Sequence, residues 1–336
     1  MKKWLQLSFT LLIAISLMVA CSSQEETENA DNLDQAESQN EAGAEQEESA
    51  EEEAPFPVTV TDALDNEIMI EAKPERIVSL IPSNTEIAFA LGMGEEVVGV
   101  TEFDNYPEEA LEKEKIGGIE INLEKIISLQ PDLVLAHEST AVSSKESLDQ
   151  LKEAGLTVLF VNDATSFEDV YRSIELIGEA TGTSDKAAEI VTSMKEEIEK
   201  VKDIAASIPE TDRKKVFIEV GAEPEIYTTG TNTFMHEMLE VISAVNIAGD
   251  LEGWQPITEE AIVEKNPDVI ITTYGYYTPN AAEQVLAREG WSQVTAIQSK
   301  QVIDVHSDLV ARSGPRLIEG VKELAKAVYP DVFKDI

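Results

Sequence analysis

Two similar α/β lobes with mainly parallel sheets, joined by one long helix, are what this 336-residue sequence predicts. Three observations carry that expectation. First, residues 121–136 (INLEKIISLQPDLVLA) and 257–272 (ITEEAIVEKNPDVIIT) share five identities in sixteen positions, and each reads as helix, Pro-Asp turn, strand. Second, apolar strand-length runs alternate with helical periodicity along most of the chain, the pattern of a parallel sheet with helices on its faces. Third, residues 184–207 form the longest uninterrupted helix signal, and they fall between the two copies of the repeat. Helix, turn and strand recur in any α/β fold, because proline both ends helices and starts turns. A second correspondence in the same chain order, Asn84-Thr85 against Asn232-Thr233, favours true duplication. Two lobes facing each other enclose a cleft, a geometry suited to capture.

In order, residues 58–70 read as a hairpin of alternating apolar strands around Asp65-Asn66, a pair that tolerates turn geometry. Residues 76–81 form an apolar run that stops at Pro82-Ser83-Asn84, and helical periodicity over 86–91 ends at Gly92. Strands are expected at 97–100, 133–136 and 157–161, and helices at 123–129, 145–154 and 167–181. The long helix starts at Ser184, a plausible N-cap, ends near Pro209 and carries an apolar stripe of Ile190, Met194, Ile198 and Val201. Beyond it, strands are expected at 216–220, 269–273 and 302–305, with helices at 233–242, 259–264, 281–287 and 316–329. The expected organisation is a signal segment (1–20), a tether (21–54), an N-terminal lobe (55–183), the interlobe helix (184–208) and a C-terminal lobe (209–336).

The chain starts as an exported protein does. Lys2 and Lys3 precede a short apolar run that ends at Ala20-Cys21, the layout of a cleaved signal peptide. Cys21 is the only cysteine, so no internal disulfide can form. Met18-Val19-Ala20-Cys21 resembles the lipobox of bacterial lipoproteins, with Met18 where leucine is usual. That resemblance implies a lipid on Cys21 that anchors the mature chain to the extracytoplasmic face of the cell membrane. Residues 22–53 hold thirteen acidic and no basic side chains; such a segment cannot bury enough apolar surface to order itself, and it extends by self-repulsion.

The charge balance excludes several functions. With 66 acidic against 25 basic residues and a net charge of −41, the chain lacks the basic footprint that nucleic acid requires. The three histidines, His137, His236 and His306, show no ligand spacing, and with a single cysteine a bare zinc or manganese carrier is not expected. Glycine-rich phosphate loops, a GxSxG elbow and a clustered His-Asp-Ser set are absent from the sequence, so no enzyme is expected.

In open α/β sheets, ligands bind outside the carboxyl ends of the strands. That rule selects the loops at 82–84, 101–106, 137–139, 221–223, 274–277 and 306–312, and with them Pro82, Ser83, Asn84 and His137. His137 is expected as a solvated loop residue that could also reach a metal centre inside a bound cofactor. Arg312 and Arg316 are rare cations in an acidic region. Arg312 is the natural partner of an anionic ligand, whereas Arg316 is expected at the start of the last helix, bonded within its own lobe.

Residues 74–107, 122–136 and 306–316 (HSDLVARSGPR) resemble the substrate-binding proteins of ABC importers for cobalamin and ferric siderophores, and the likeness runs over residues 56–329. It implies the class III periplasmic-binding-protein fold, two lobes bridged by a rigid helix. The implied role is a monomer that captures cobalamin, or alternatively a ferric siderophore or haem, and delivers it to a membrane permease with its ATPase. No cofactor is implied apart from the lipid on Cys21. By position, the resemblance makes Phe103 and Trp254 aromatic walls, Asp308 an acceptor for amide edges, and Glu124 and Glu240 the surface acids that dock on the permease. Gly118 and His137 stand where the cobalamin protein has tryptophans, which makes this pocket less aromatic.

Overall fold

The computed structural model describes residues 56–221 and 224–336. The signal segment, Cys21, the acidic tether, and Ala222 and Glu223 of the 221–223 loop lie outside the described residues. The first half begins with an antiparallel hairpin, β1 (Val58–Thr61) and β2 (Glu67–Ile70). Asp62 closes its turn by accepting the backbone N–H groups of Leu64 and Asn66 at 2.9 Å each. There follow β3 (Ile77–Ser79), α1 (Pro82–Ala90), β4 (Val97–Val100), β5 (Glu114–Lys115), α2 (Leu123–Ser128), β6 (Leu133–His137), α3 (Lys145–Glu153), β7 (Val158–Val161) and α4 (Phe167–Thr181). Their five-stranded parallel sheet has the order β5-β4-β3-β6-β7.

The 22-residue α5 (Ser184–Ala205) leads to the second half. That half comprises β8 (Lys215–Glu219), β9 (Tyr227–Thr229), α6 (Phe234–Val241), β10 (Val245–Asn246), β11 (Trp254–Pro256), α7 (Glu259–Lys265), β12 (Val269–Thr272), α8 (Ala281–Leu286), α9 (Thr295–Gln298), β13 (Val302–Asp304), α10 (Ser307–Ala311) and α11 (Leu317–Val328). The second parallel sheet runs β10-β8-β12-β13, and β9 and β11 form a separate antiparallel pair. Among the described residues no helix is long and apolar enough to cross a membrane.

The repeat is preserved down to its hydrogen bonds. Asn122 caps α2 by accepting from the Lys125 N–H, and Thr258 caps α7 by accepting from the Ala261 N–H. Gln130 and Asn266, at equivalent positions, both adopt left-handed backbone (φ 48° each) before the proline. The carboxylates of Asp132 and Asp268 then accept backbone N–H groups of Arg76 and Lys215, which lie at the start of the adjacent parallel strands β3 and β8. The Pro-Asp turn therefore sets strand register in each sheet. The second correspondence does not hold locally: Thr233 caps α6 with its side chain, whereas Thr85 lies inside α1.

α1 starts four residues earlier than the periodicity implies, because Pro82 occupies its first turn, where a missing N–H costs nothing. In α5 the buried stripe is Ala187, Val191, Met194, Ile198, Val201 and Ala205, with Ile190 only half-buried. The N-cap is Thr183 rather than Ser184. Gly178 of α4 lets α5 approach closely, since a Cβ there would stand 2.5 Å from that of Ala187.

Alternate strand residues face different layers. Leu133 and Leu135 of β6 join Val216 and Ile218 of β8 in one large cluster that also takes in α4, α5, α6 and α11. Val134 and Ala136 face a second cluster with Ile126 and Leu148, and Phe217 and Ile270 face a third with Trp291. The two sheets thus share a continuous apolar layer along α5. Such a layer resists relative motion of the lobes, because close-packed interiors deform little.

Candidate ligand-binding cleft

Residues from the carboxyl ends of both sheets line one cavity of about 460 Å³, within the range of small-molecule sites. From the first half come Pro82 and Ser83 in the first turn of α1, His137 at the end of β6, Ser139, and Asp163 just beyond β7. From the second half come Phe234 and Met235 at the start of α6, Trp254 of β11, Tyr276 and Tyr277 beyond β12, and Asp308 and Arg312 at the α10 turn. A larger hollow of about 860 Å³, lined among others by Phe89, Tyr106, Glu109 and Arg316, shares no lining residue with this cleft. Strand polarity, not volume, assigns the site.

Trp254 (49% exposed), Tyr276 (68%) and Tyr277 (56%) offer aromatic surface at the cleft. Tyr276 meets Tyr277 edge-on, centroids 4.6 Å apart, and Tyr277 lies 6.1 Å from Tyr274. Tyr274 is buried and donates its hydroxyl to Glu219 Oε1 at 2.5 Å. Arg288 grips the same carboxylate through both terminal nitrogens, each at 2.9 Å. This buried cluster at the carboxyl ends of β8 and β12 anchors the tyrosine turn, and burial together with the Glu219 contact pushes the Tyr274 hydroxyl well above its usual pKa.

His137 is only 4% exposed, so the expected solvated loop histidine is instead part of the cleft wall. Burial lowers its pKa, partly offset by Asp163 and Glu138, which leaves the imidazole neutral at pH 7. Its Nδ1 lies 2.7 Å from Ser139 Oγ and accepts the Ser139 backbone N–H at 3.3 Å.

Asn84 and Phe103 take other places. Asn84 is 1% exposed and donates its amide to the Ala136 carbonyl at 2.9 Å, tying α1 to the end of β6 instead of lining the cavity. Phe103 is half-exposed outside the cavity lining, and its ring rests on Gly118, where a Cβ would stand 3.3 Å from the ring. Glu124 is exposed in the first turn of α2, and Glu240 is exposed near the end of α6 with His236 Nε2 at 3.6 Å.

Arg316 departs from the pairing expected within its own lobe. Arg316 does stand at the start of α11, but it bonds Glu86 of α1, in the other half, through Nε to Oε2 at 2.9 Å and Nη2 to Oε1 at 2.7 Å. Glu86 is 3% exposed, and a buried carboxylate requires such partners. Arg316 also stacks on Tyr106, 3.8 Å from the ring centroid. Arg312 Nη1 donates to Glu86 Oε1 (2.7 Å) and Asn105 Oδ1 (2.9 Å), while Nη2 pairs with Asp308 Oδ1 at 2.9 Å. Asn105 Nδ2 closes the ring by donating to Asp308 Oδ2 at 2.7 Å. Glu86 and Asn105 carried no signal of this kind in the sequence, since their partners lie more than 200 positions away. The tyrosine pair lies in the 274–277 loop that the strand-end rule selects, whereas Asp163, just beyond β7, lies outside the selected loops although the same rule points to it.

A cleft built at the strand ends of two α/β lobes around a shared helical layer defines a ligand-capturing protein. The chain belongs to the periplasmic binding protein family, whose model matches residues 77–309. It is 54% identical over 280 residues to the uncharacterized ABC transporter substrate-binding lipoprotein YvrC of Bacillus subtilis, covering 83% of this chain and 88% of that one. It is 31% identical over 284 residues to the cobalamin-binding protein of Halobacterium salinarum, covering 82% and 74%. A solved structure of a possible iron-binding periplasmic solute-binding protein from Staphylococcus epidermidis is 38% identical, with a TM-score of 0.69 over 77% of this chain and all of the other. The protein is therefore a substrate-binding component of the ABC-transporter kind, and it binds rather than catalyses.

Proposed function

We propose that this protein captures a corrinoid, cobalamin, in the interlobe cleft and hands it to an ABC permease, held at the outer face of the membrane by lipid on Cys21. The observation that carries the choice of ligand is the charge of the cleft. Among the described residues lining it, Asp163 and Asp308 are acidic, His137 is neutral, and Arg312, the single arginine there, is already bonded to Glu86, Asn105 and Asp308. A corrinoid presents a broad apolar disc with a rim of uncharged carboxamides, which suits aromatic walls and acidic acceptors. Haem propionates and the ferric chelates built from anionic catecholate or carboxylate groups bring negative charge that finds no uncommitted cation among the described lining residues. Asp308 is itself engaged, accepting from Arg312 through Oδ1 and from the Asn105 amide through Oδ2.

A haem or ferric-siderophore ligand is the second reading, favoured by the likeness to the possible iron-binding protein. A thermal-shift panel of corrinoids, haem and several ferric siderophores separates the two, because a ligand that binds only the native state raises its stability by about 2.7 kcal/mol at a hundredfold excess over Kd. Cyanocobalamin is expected to give the largest rise. A larger rise with haem or a siderophore would transfer the assignment.

Glu124 and Glu240 are proposed as the permease contacts. Reversing both charges (Glu124→Lys, Glu240→Lys) is expected to slow association with the permease at low salt while leaving ligand affinity unchanged. Pull-down and ligand titration on the same preparation check it, and a loss of ligand affinity would contradict the separation of roles.

A further inference from the structure

We propose that Glu86 sets the charge selectivity of the cleft: by holding Arg312 and Arg316 in a neutral four-charge cluster with Asp308, it makes the site reject anionic ligands and accept rings with uncharged polar rims. The inference rests on the corrinoid reading and names the residue behind its selectivity. Glu86 does not line the cleft. It lies buried in α1 and acts through Arg312, so it is a positioning residue.

The charges close locally. Two guanidinium groups face two carboxylates, every charged pair within 2.9 Å. Asp308 alone would balance Arg312 within its own helical turn, four residues away. Arg316 would then remain a second positive charge beside it, with the face of Tyr106 and the exposed Glu319 as its further partners. The buried carboxylate contributed by α1 cancels that excess. Without it the cluster carries one net positive charge, and the Nη1–H that Arg312, at the cleft wall, gives to Glu86 is released for the charge-assisted bonds that guanidinium makes with carboxylates, while Asn105 and Asp308 still hold the rest of the fork.

The test is Glu86→Gln in the full chain, titrated with haemin as the anionic disc and cyanocobalamin as the uncharged-rim disc. The haemin-to-cyanocobalamin affinity ratio is expected to rise about tenfold or more, the scale of one new charge-assisted pair. The gain should shrink as salt increases. A purely structural role for Glu86 would lower both affinities together and leave the ratio alone. Arg316→Gln, outside the cleft lining, leaves the cluster one charge negative and should move the ratio in the opposite direction, which decides the matter if Glu86→Gln does not fold. A ratio unchanged within about twofold in the folded variants overturns the proposal. Wild-type protein that prefers haemin would instead remove the corrinoid reading, and the change in ratio from wild type to variant would still show whether Glu86 holds the charge balance.

Discussion

Glu219→Gln is expected to destabilise the protein by about 3–5 kcal/mol, the cost of breaking a buried ion pair from one side. Glu219 is fully buried and its partner Arg288 is 8% exposed, so water cannot replace the lost carboxylate charge. The change keeps the size of the side chain but substitutes one amide oxygen for two anionic acceptors, which the Arg288 fork and the Tyr274 hydroxyl share. Tyr274→Phe removes one hydroxyl donor and should cost less, about 1–3 kcal/mol. As a control, the Lys200–Glu197 pair of α5 is largely exposed (65% and 29%), and removing Lys200 should change stability by less than about 1 kcal/mol. Denaturant midpoints followed by circular dichroism rank the three variants. Equal midpoints for Glu219→Gln and wild type would show that the cluster adds nothing to the fold. The same variant should also weaken ligand binding, because Tyr274 anchors the turn that carries Tyr276 and Tyr277.

Local chemistry was legible in the sequence and long-range pairing was not. The helix at Phe167–Thr181 and the Pro-Asp repeat follow from periodicity, capping residues and proline, whose effects act within a few positions. The strand-end rule likewise brought Pro82, Ser83, His137 and Arg312 to one cavity. It failed at Asn84 because loop and first helical turn look alike when proline starts the helix, and inside the helix the side chain turned to the Ala136 carbonyl. The expectation that Arg316 bonds within its own lobe failed for another reason: its partner, Glu86, is set by how two sheets pack, and an acidic residue within a helix pattern reads as a solvated face. The short β9–β11 pair escaped for the same reason: three residues per strand carry too little periodicity, yet this pair presents Trp254.

Trp254→Ala is expected to raise Kd for the corrinoid at least about thirtyfold, equivalent to about 2 kcal/mol, as for aromatic anchors at binding sites. About half of its surface is exposed and it lines the cleft, so a ligand face can cover it without repacking the core. Its backbone is fixed independently, since β11 is paired with β9 and Trp254 stands opposite Thr229. The melting temperature of the unliganded variant should therefore stay close to wild type. Trp291 provides the contrast: it is 1% exposed, stacked beneath Arg288 and donating its indole N–H to Glu259, so it has no surface for a ligand to quench by contact. Trp254→Phe should abolish most of the ligand-linked change in tryptophan fluorescence while retaining much of the affinity, because phenylalanine preserves an apolar ring at the wall. If Trp254→Phe kept the full fluorescence response, the ligand would lie nearer the tyrosine turn and Trp291 than the β11 wall, and Tyr276 and Tyr277 would replace Trp254 as the anchoring face.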